Sequence, residues 1–207
     1  DVASWYHIVL AVDTTQGTNT NRVKAYVNGV QYAFNNNDWP SQNATSHWMN
    51  TNDMYFNTRD GDGSYDNSMY WAEIAVVDGQ QLAATEFGEF DEDSGIWKPK
   101  DLSSITFGSQ GFWWNFSDSS SLGADSSSNS NTATFNNLTS ADIATDTPTN
   151  NFCTMSANWH FTTDSTITEG GTKCAPNSSA WCGAKGSIGL SAGKWYWEWK
   201  SSGQGDY

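Results

Sequence analysis

The chain has 207 residues, of which 37% are hydrophobic, 14% aromatic and 15% charged, which suits one domain or one and a half with a real core. Aspartate and glutamate number 23 against 9 lysine and arginine, a net charge of −14 that excludes a basic nucleic-acid binder and is repelled by anionic membranes. No apolar run approaches the roughly 18 residues of a membrane span, and no signal-peptide or targeting pattern is present.

Helix signals are almost absent, and turn chemistry recurs about every ten positions, which predicts an all-β, antiparallel sandwich. Residues 5–13, WYHIVLAVD, form a continuous apolar run suited to a strand buried on both faces. Strand-like sequence this early is expected of a piece of a longer chain. Val23, Ala25 and Val27 alternate with Arg22, Lys24 and Tyr26. Asn28-Gly29 follows, and Val30, Tyr32 and Phe34 return, predicting a hairpin over 22–34. Residues 35–52 read as a loop, 54–57 as a short strand, 60–67 (DGDGSYDN) as a loop and 69–77 (MYWAEIAVV) as a long strand. One helical turn fits 82–87, with Gly88 as its stop. The acidic stretch 89–100 reads as a connection, and GFWWNF at 111–116 as a strand. The Ser/Asn-rich segment 117–137 lacks the apolar residues to make a core alone. Strand-like sequence returns from Gly186, ending in WYWEWK at 195–200, a strand with no visible partner.

Three strings, WYHIVLAVDTTQ, NRVKAYVNGVQ and MYWAEIAVVDGQQL, resemble the concanavalin A-like lectin/glucanase superfamily in its laminin G-like form. FGEFDEDSGIWKPKDL, FGSQGFWWNFSDSSSLGADSS and DTPTNNF are similar to large proteins of tailed bacteriophages, especially marine ones, where such domains sit in fibres and other appendages. GKWYWEWK resembles the first long strand of a SPRY domain, another β-sandwich. The resemblance implies a concanavalin A-like jelly roll over 1–116, a linker over 117–152 and the start of a SPRY-like sandwich over 153–207. Neither sandwich would be complete.

Candidate chemistry is sparse. Glu89, Asp91 and Asp93 fall at i, i+2, i+4 and would share one side of a strand. The spacing is similar to the E-x-D-x-E nucleophile and acid pattern of glucanases in this superfamily, but Asp93 is one methylene short of the third glutamate. A solvated acidic turn is the simpler reading, and no enzyme activity is expected. Asp60, Asp62 and Asp66 offer hard oxygen ligands for Ca²⁺ on a flexible loop, although Tyr65 stands where an EF-hand needs glycine. A plain Gly/Asp turn explains them without metal. Trp39, Trp48, Tyr55 and Tyr65 sit in or beside the early loops, where aromatic faces could stack on sugar rings. His7, inside an apolar run, reads as a hydrogen-bonded structural histidine.

Cys153, Cys174 and Cys182 are an odd set with no C-x-x-C, so neither a closed disulfide framework nor a zinc site is expected. The sequons at Asn43, Asn115, Asn137 and Asn177 carry no weight in a chain so rich in Asn, Ser and Thr. The expected role is a non-enzymatic, extracellular virion appendage or fibre-like protein of a tailed phage, presenting lectin-like domains to a host glycan. Its partners would be other virion subunits or copies of itself. The alternatives are a secreted carbohydrate-binding protein and a phage glycan depolymerase using the acidic run. Twelve tryptophans exceed what an incomplete sandwich easily buries. Trp113, Trp114 and at least one of Trp195, Trp197 and Trp199 are therefore expected to be covered, partly by neighbouring protein.

Overall fold

The computed structural model describes residues 4–35, 38–45, 56, 69–93, 95–160, 165–177 and 183–201. Helix among these is confined to single 3₁₀ turns, so the chain is all-β. Its strands are short and form separate small antiparallel sheets rather than one closed pair of layers.

Strands β1 (Ile8–Val12), β2 (Val23–Val27) and β3 (Val30–Tyr32) make a three-stranded sheet in that order. The β2–β3 hairpin turns at Asn28 (φ 48°) and Gly29 (φ 76°), the left-handed pair its sequence predicted. Ile8 stands opposite Val27, and Val27 opposite Val30, so every even-numbered β1 residue shares a face with the apolar residues of β2 and β3. That face is open: Ile8 is 71% exposed and Val30 64%. The expectation of a first strand buried on both sides is therefore corrected. Only the odd face, where Ala11 is buried, is covered.

The cover is Trp97. Its indole Nε1 donates to His7 Nδ1 at 3.0 Å, and its ring lies against both Gly29 and Gly88, where any Cβ would run into it. His7 is fixed from behind as well. Its backbone N–H donates to Asn28 Oδ1 at 2.8 Å, and burial holds its imidazole below the ordinary value. This is the structural histidine expected from the sequence.

Trp97 belongs to β6 (Trp97–Pro99), which pairs with β5 (Gly88–Phe90). The segment 89–100, read as a plain connection, is thus a hairpin. The cross-strand pair Phe90–Trp97, with ring centroids 4.9 Å apart, holds it. The helical turn before it is found as a 3₁₀ turn at Ala84–Glu86.

The best-buried part of the molecule is β4 (Ile74–Val76) paired with β7 (Phe112–Trp114). Alternation sends Ile74, Phe112 and Trp114 to one side, against Phe56, Phe116 and Ala133. Trp113 faces the other way, onto Leu102 and Phe107. Residues 69–77 contribute only these three strand positions. Met69, Tyr70 and Trp71 are exposed, because β7 offers partners to 74–76 alone.

Residues 117–137 contain no strand, as their composition predicts, yet they are bound to β7. Asp125 Oδ1 accepts from Trp113 N at 2.9 Å, and Ser126 N donates to Trp113 O at 2.7 Å. A side chain and one peptide thus take the place of a neighbouring strand on this edge. Asn129 Nδ2 and Asn131 Nδ2 each donate to Gly111 O at 2.9 Å, and Trp114 Nε1 donates to Asn131 O at 2.8 Å. Phe116, at φ 55°, turns the chain sharply and brings its ring to 5.9 Å from that of Phe135.

Four further strands lie later in the chain: β8 (Met155–His160), β9 (Ser165–Thr168), β10 (Lys173–Pro176) and β11 (Ala184–Gly186). They form two antiparallel pairs, β8 with β11 and the hairpin β9 with β10. Strand structure thus resumes well before Gly186, where the sequence reading placed it. Residues 195–200 are not a strand. Without a partner ladder the backbone gains nothing from extension, and Trp195, Trp197 and Trp199 are 59%, 73% and 80% exposed. The expected burial holds for Trp113 and Trp114 and fails for these three within the chain itself.

Asp125 also accepts from Ser127 N, Ser127 Oγ and Asn131 N at 2.7–2.9 Å. Burial pushes its carboxyl up, but the donors outweigh that and hold it below the ordinary 3.8. Asp125→Ala should therefore cost on the order of 1–2 kcal/mol in urea unfolding at pH 7, screening by solvent included. A folded value below the unfolded one gives stability that is present above about pH 4 and fades as pH falls further. The wild-type advantage over the variant should shrink accordingly.

Candidate functional site

Of the four aromatic residues proposed for sugar contact, Trp39 is described; Trp48, Tyr55 and Tyr65 lie outside the described residues. So do Asp60, Asp62 and Asp66, the proposed Ca²⁺ ligands, and Cys182. Among the described residues no cluster of three or more His, Cys, Asp or Glu side chains is arranged to hold a metal. Cys153 and Cys174 are thiols.

Trp39 is half-buried and meets Phe34 edge to face, with centroids 5.6 Å apart at 88°. Phe34 meets Tyr32 in the same way, at 5.8 Å and 84°. The three rings form a staircase running off the end of β3, with Tyr32 55% and Phe34 41% exposed. Sequence reasoning missed Tyr32 and Phe34 because it assigned them to the hairpin strand. Their i, i+2 spacing with a tryptophan five residues on was the available signal.

The staircase rests on a pinned loop. Arg22 fans its guanidinium over three carbonyls: Nε to Gln16 O at 2.8 Å, Nη1 to Pro40 O at 2.8 Å and Nη2 to Gly17 O at 3.0 Å. The bond to Pro40 fixes the residue after Trp39. Asn43 N to Thr14 O, Thr14 Oγ1 to Ala44 O and Gln42 Nε2 to Thr15 O tie the rest of 38–45 to the β1–β2 connection. Asp13 shapes that connection by accepting from Gln16, Thr15 Oγ1 and Thr15 N, which holds its carboxyl below the usual range. An aromatic face on a frame this constrained loses little entropy on contact with a flat apolar ligand face.

The acidic run is dispersed by its hairpin. Glu89 lies in β5, while Asp91 and Asp93 fall in the turn. Asp91 is paired with Lys98 at 2.8 Å and Glu89 with Lys100 at 3.6 Å, and Asp93 N donates to Asp91 Oδ1 at 3.2 Å. The Lys98 ammonium is correspondingly held above its ordinary value, chiefly by the bond to Asp91. Two of the three carboxylates thus face lysines, and Asp91 and Asp93 share one surface turn.

A second acidic feature was not legible in the sequence. Glu73, just before β4, has its carboxyl pushed up by partial burial and by repulsion from Asp101, while the Trp113 indole N–H pulls it down. By area Glu73 is an exposed residue, so solvent screening keeps the effect modest. Trp113 Nε1 is buried and makes no hydrogen bond of standard geometry.

In comparisons with known proteins, no family model, curated protein or solved structure matches the chain.

Crowding at Glu73 has a definite pH signature. A carboxyl raised above its ordinary value of 4.5 carries no penalty when protonated in both states, and the penalty grows as pH rises from there through the folded value. Glu73→Gln should raise the melting temperature slightly at pH 7 and leave it unchanged near pH 4. Thermal unfolding at the two pH values measures the difference.

Proposed function

We propose that this chain is part of a non-enzymatic virion protein of a tailed phage, an appendage or fibre-like subunit whose lectin-like β domains meet a host-cell glycan. In this reading the small sheets are parts of concanavalin A-like and SPRY-like sandwiches, and the protein works outside the host cell. The observation that carries the proposal is the Tyr32–Phe34–Trp39 staircase on its Arg22-pinned loop. Sugar rings present flat C–H faces that stack on aromatic rings, and an amphipathic, half-wet platform suits them. The phage-like strings around 87–152 support the virion setting. The lysine-paired acidic turn supports a binding role over hydrolysis, because a glycosidase needs one carboxyl kept protonated and a second free to attack.

Titration calorimetry against polysaccharide purified from host cell surfaces tests this reading. Trp39→Ala should weaken binding at least tenfold while the far-ultraviolet circular dichroism is unchanged. Equal binding by wild type and variant would remove the staircase from the site. Shortening of the polysaccharide by wild type but not by Glu89→Gln would replace the binding role with hydrolysis.

A further inference from the structure

The even-numbered face of the β1–β2–β3 sheet is apolar from edge to edge. Ile8, Leu10 and Val12 line β1, Val27 ends β2, and Val30 and Tyr32 line β3, each between 37% and 71% exposed. With Tyr6 and the half-buried Val23 and Ala25, the open area is on the order of 800 Å² in all, most of it apolar and more than the few hundred Å² common on monomers. No charged side chain stands on this face, since Lys24, Tyr26 and Gln31 alternate to the opposite side.

We propose that this face is a self-association surface, on which two copies of the chain pack sheet to sheet about a twofold axis. Three observations select a second copy as the occupant. The open area matches the roughly 800 Å² that each partner gives to a standard stable interface. A twofold contact must be self-complementary, and an uncharged, mostly aliphatic face meets itself without burying an unpaired charge. The sheet is also the right shape. Three antiparallel strands whose shared face is mostly aliphatic can pack on an identical layer at about 10 Å separation and about −30°, the geometry of an aligned sandwich. The two copies together would complete the two-layer core that neither has alone. The proposal does not depend on the glycan reading.

Net charge sets the salt response. Each copy carries −14, so the copies repel at low ionic strength, and the dimer tightens as salt screens them. Sedimentation velocity of the 207-residue chain from about 1 to 100 µM reads the equilibrium directly. A dimer is expected whose dissociation constant falls when salt is raised. Ile8→Lys and Val30→Lys, at the two most exposed positions and on opposite edges of the sheet, should each raise that constant more than tenfold with unchanged circular dichroism. If one variant fails to fold, the other decides alone. A chain that stays monomeric at the highest concentration overturns the proposal. So does a dimer that survives both lysines, or one lost instead in Trp197→Ser, which would place the contact on the exposed 195–199 segment.

Discussion

The antiparallel pair β4–β7 is the constraint on which the best-packed part of the molecule depends. It is only three residues long on each side, too short to be stable as a bare ladder. What makes it hold is the placement of two consecutive tryptophans. Successive residues of a strand point to opposite faces, so Trp113 and Trp114 anchor separate clusters on the two sides of one ladder. Each ring covers far more apolar area than an aliphatic residue would. The edge that would remain open is closed by the Asp125 carboxylate and the Ser126 peptide. Remove the alternation and both clusters lose their centre at once.

Asp125 belongs to a wider pattern. In this chain an Asp or Asn followed two residues later by Ser or Thr repeatedly folds into the same small motif, in which the side-chain oxygen accepts from the second backbone N–H. It occurs at Asp13–Thr15, Asp101–Ser103, Asn115–Ser117, Asp118–Ser120 and Asp125–Ser127. Long stretches without strand must still satisfy their peptide groups. Short polar side chains do that locally, at the cost of competing with ladders. The Ser/Asn-rich composition is therefore structural chemistry as well as a solvated surface, and it explains why so much of an all-β chain is ordered outside strands.

Much of this was legible in the sequence, and the failures have physical causes. The 22–34 hairpin was readable because Asn28-Gly29 states its turn type locally. The lack of long helices among the described residues followed from composition. Burial of Trp113 and Trp114 followed from their density in a short apolar run. The β5–β6 hairpin was hidden because its stability comes from Phe90 meeting Trp97 and from Trp97 reaching His7, contacts that span up to 90 residues of sequence. Strands β8–β10 are polar and alternate weakly, so hydrophobic period gave no signal. The run 195–200 had the opposite fault. Its alternation is strong, but alternation specifies a strand only where a partner ladder exists. In the site, Trp39 was found by type and position. Tyr32 and Phe34 were not, because membership of a strand says nothing about which side of it stays open.

The same joint decides which surfaces remain for other molecules. Trp97 fits over Gly29 and Gly88 because neither carries a Cβ, and its N–H finds the one neutral imidazole nitrogen free to accept. That fit anchors the β5–β6 hairpin at the His7–Gly29 end of the three-stranded sheet, while the even face stays bare. A charged residue placed among Ile8, Leu10 and Val12 would have solvated that face at little expense, since all three are open in the isolated chain. Yet the chain puts its −14 elsewhere: in the acidic hairpin turn, in the Asx motifs and along the loops. Charge is thus segregated from one continuous aliphatic surface, and the aromatic staircase begins where that surface ends, at Tyr32. A surface so divided has its recognition chemistry set by side-chain placement on a few short, well-pinned strands, without needing any deep cavity.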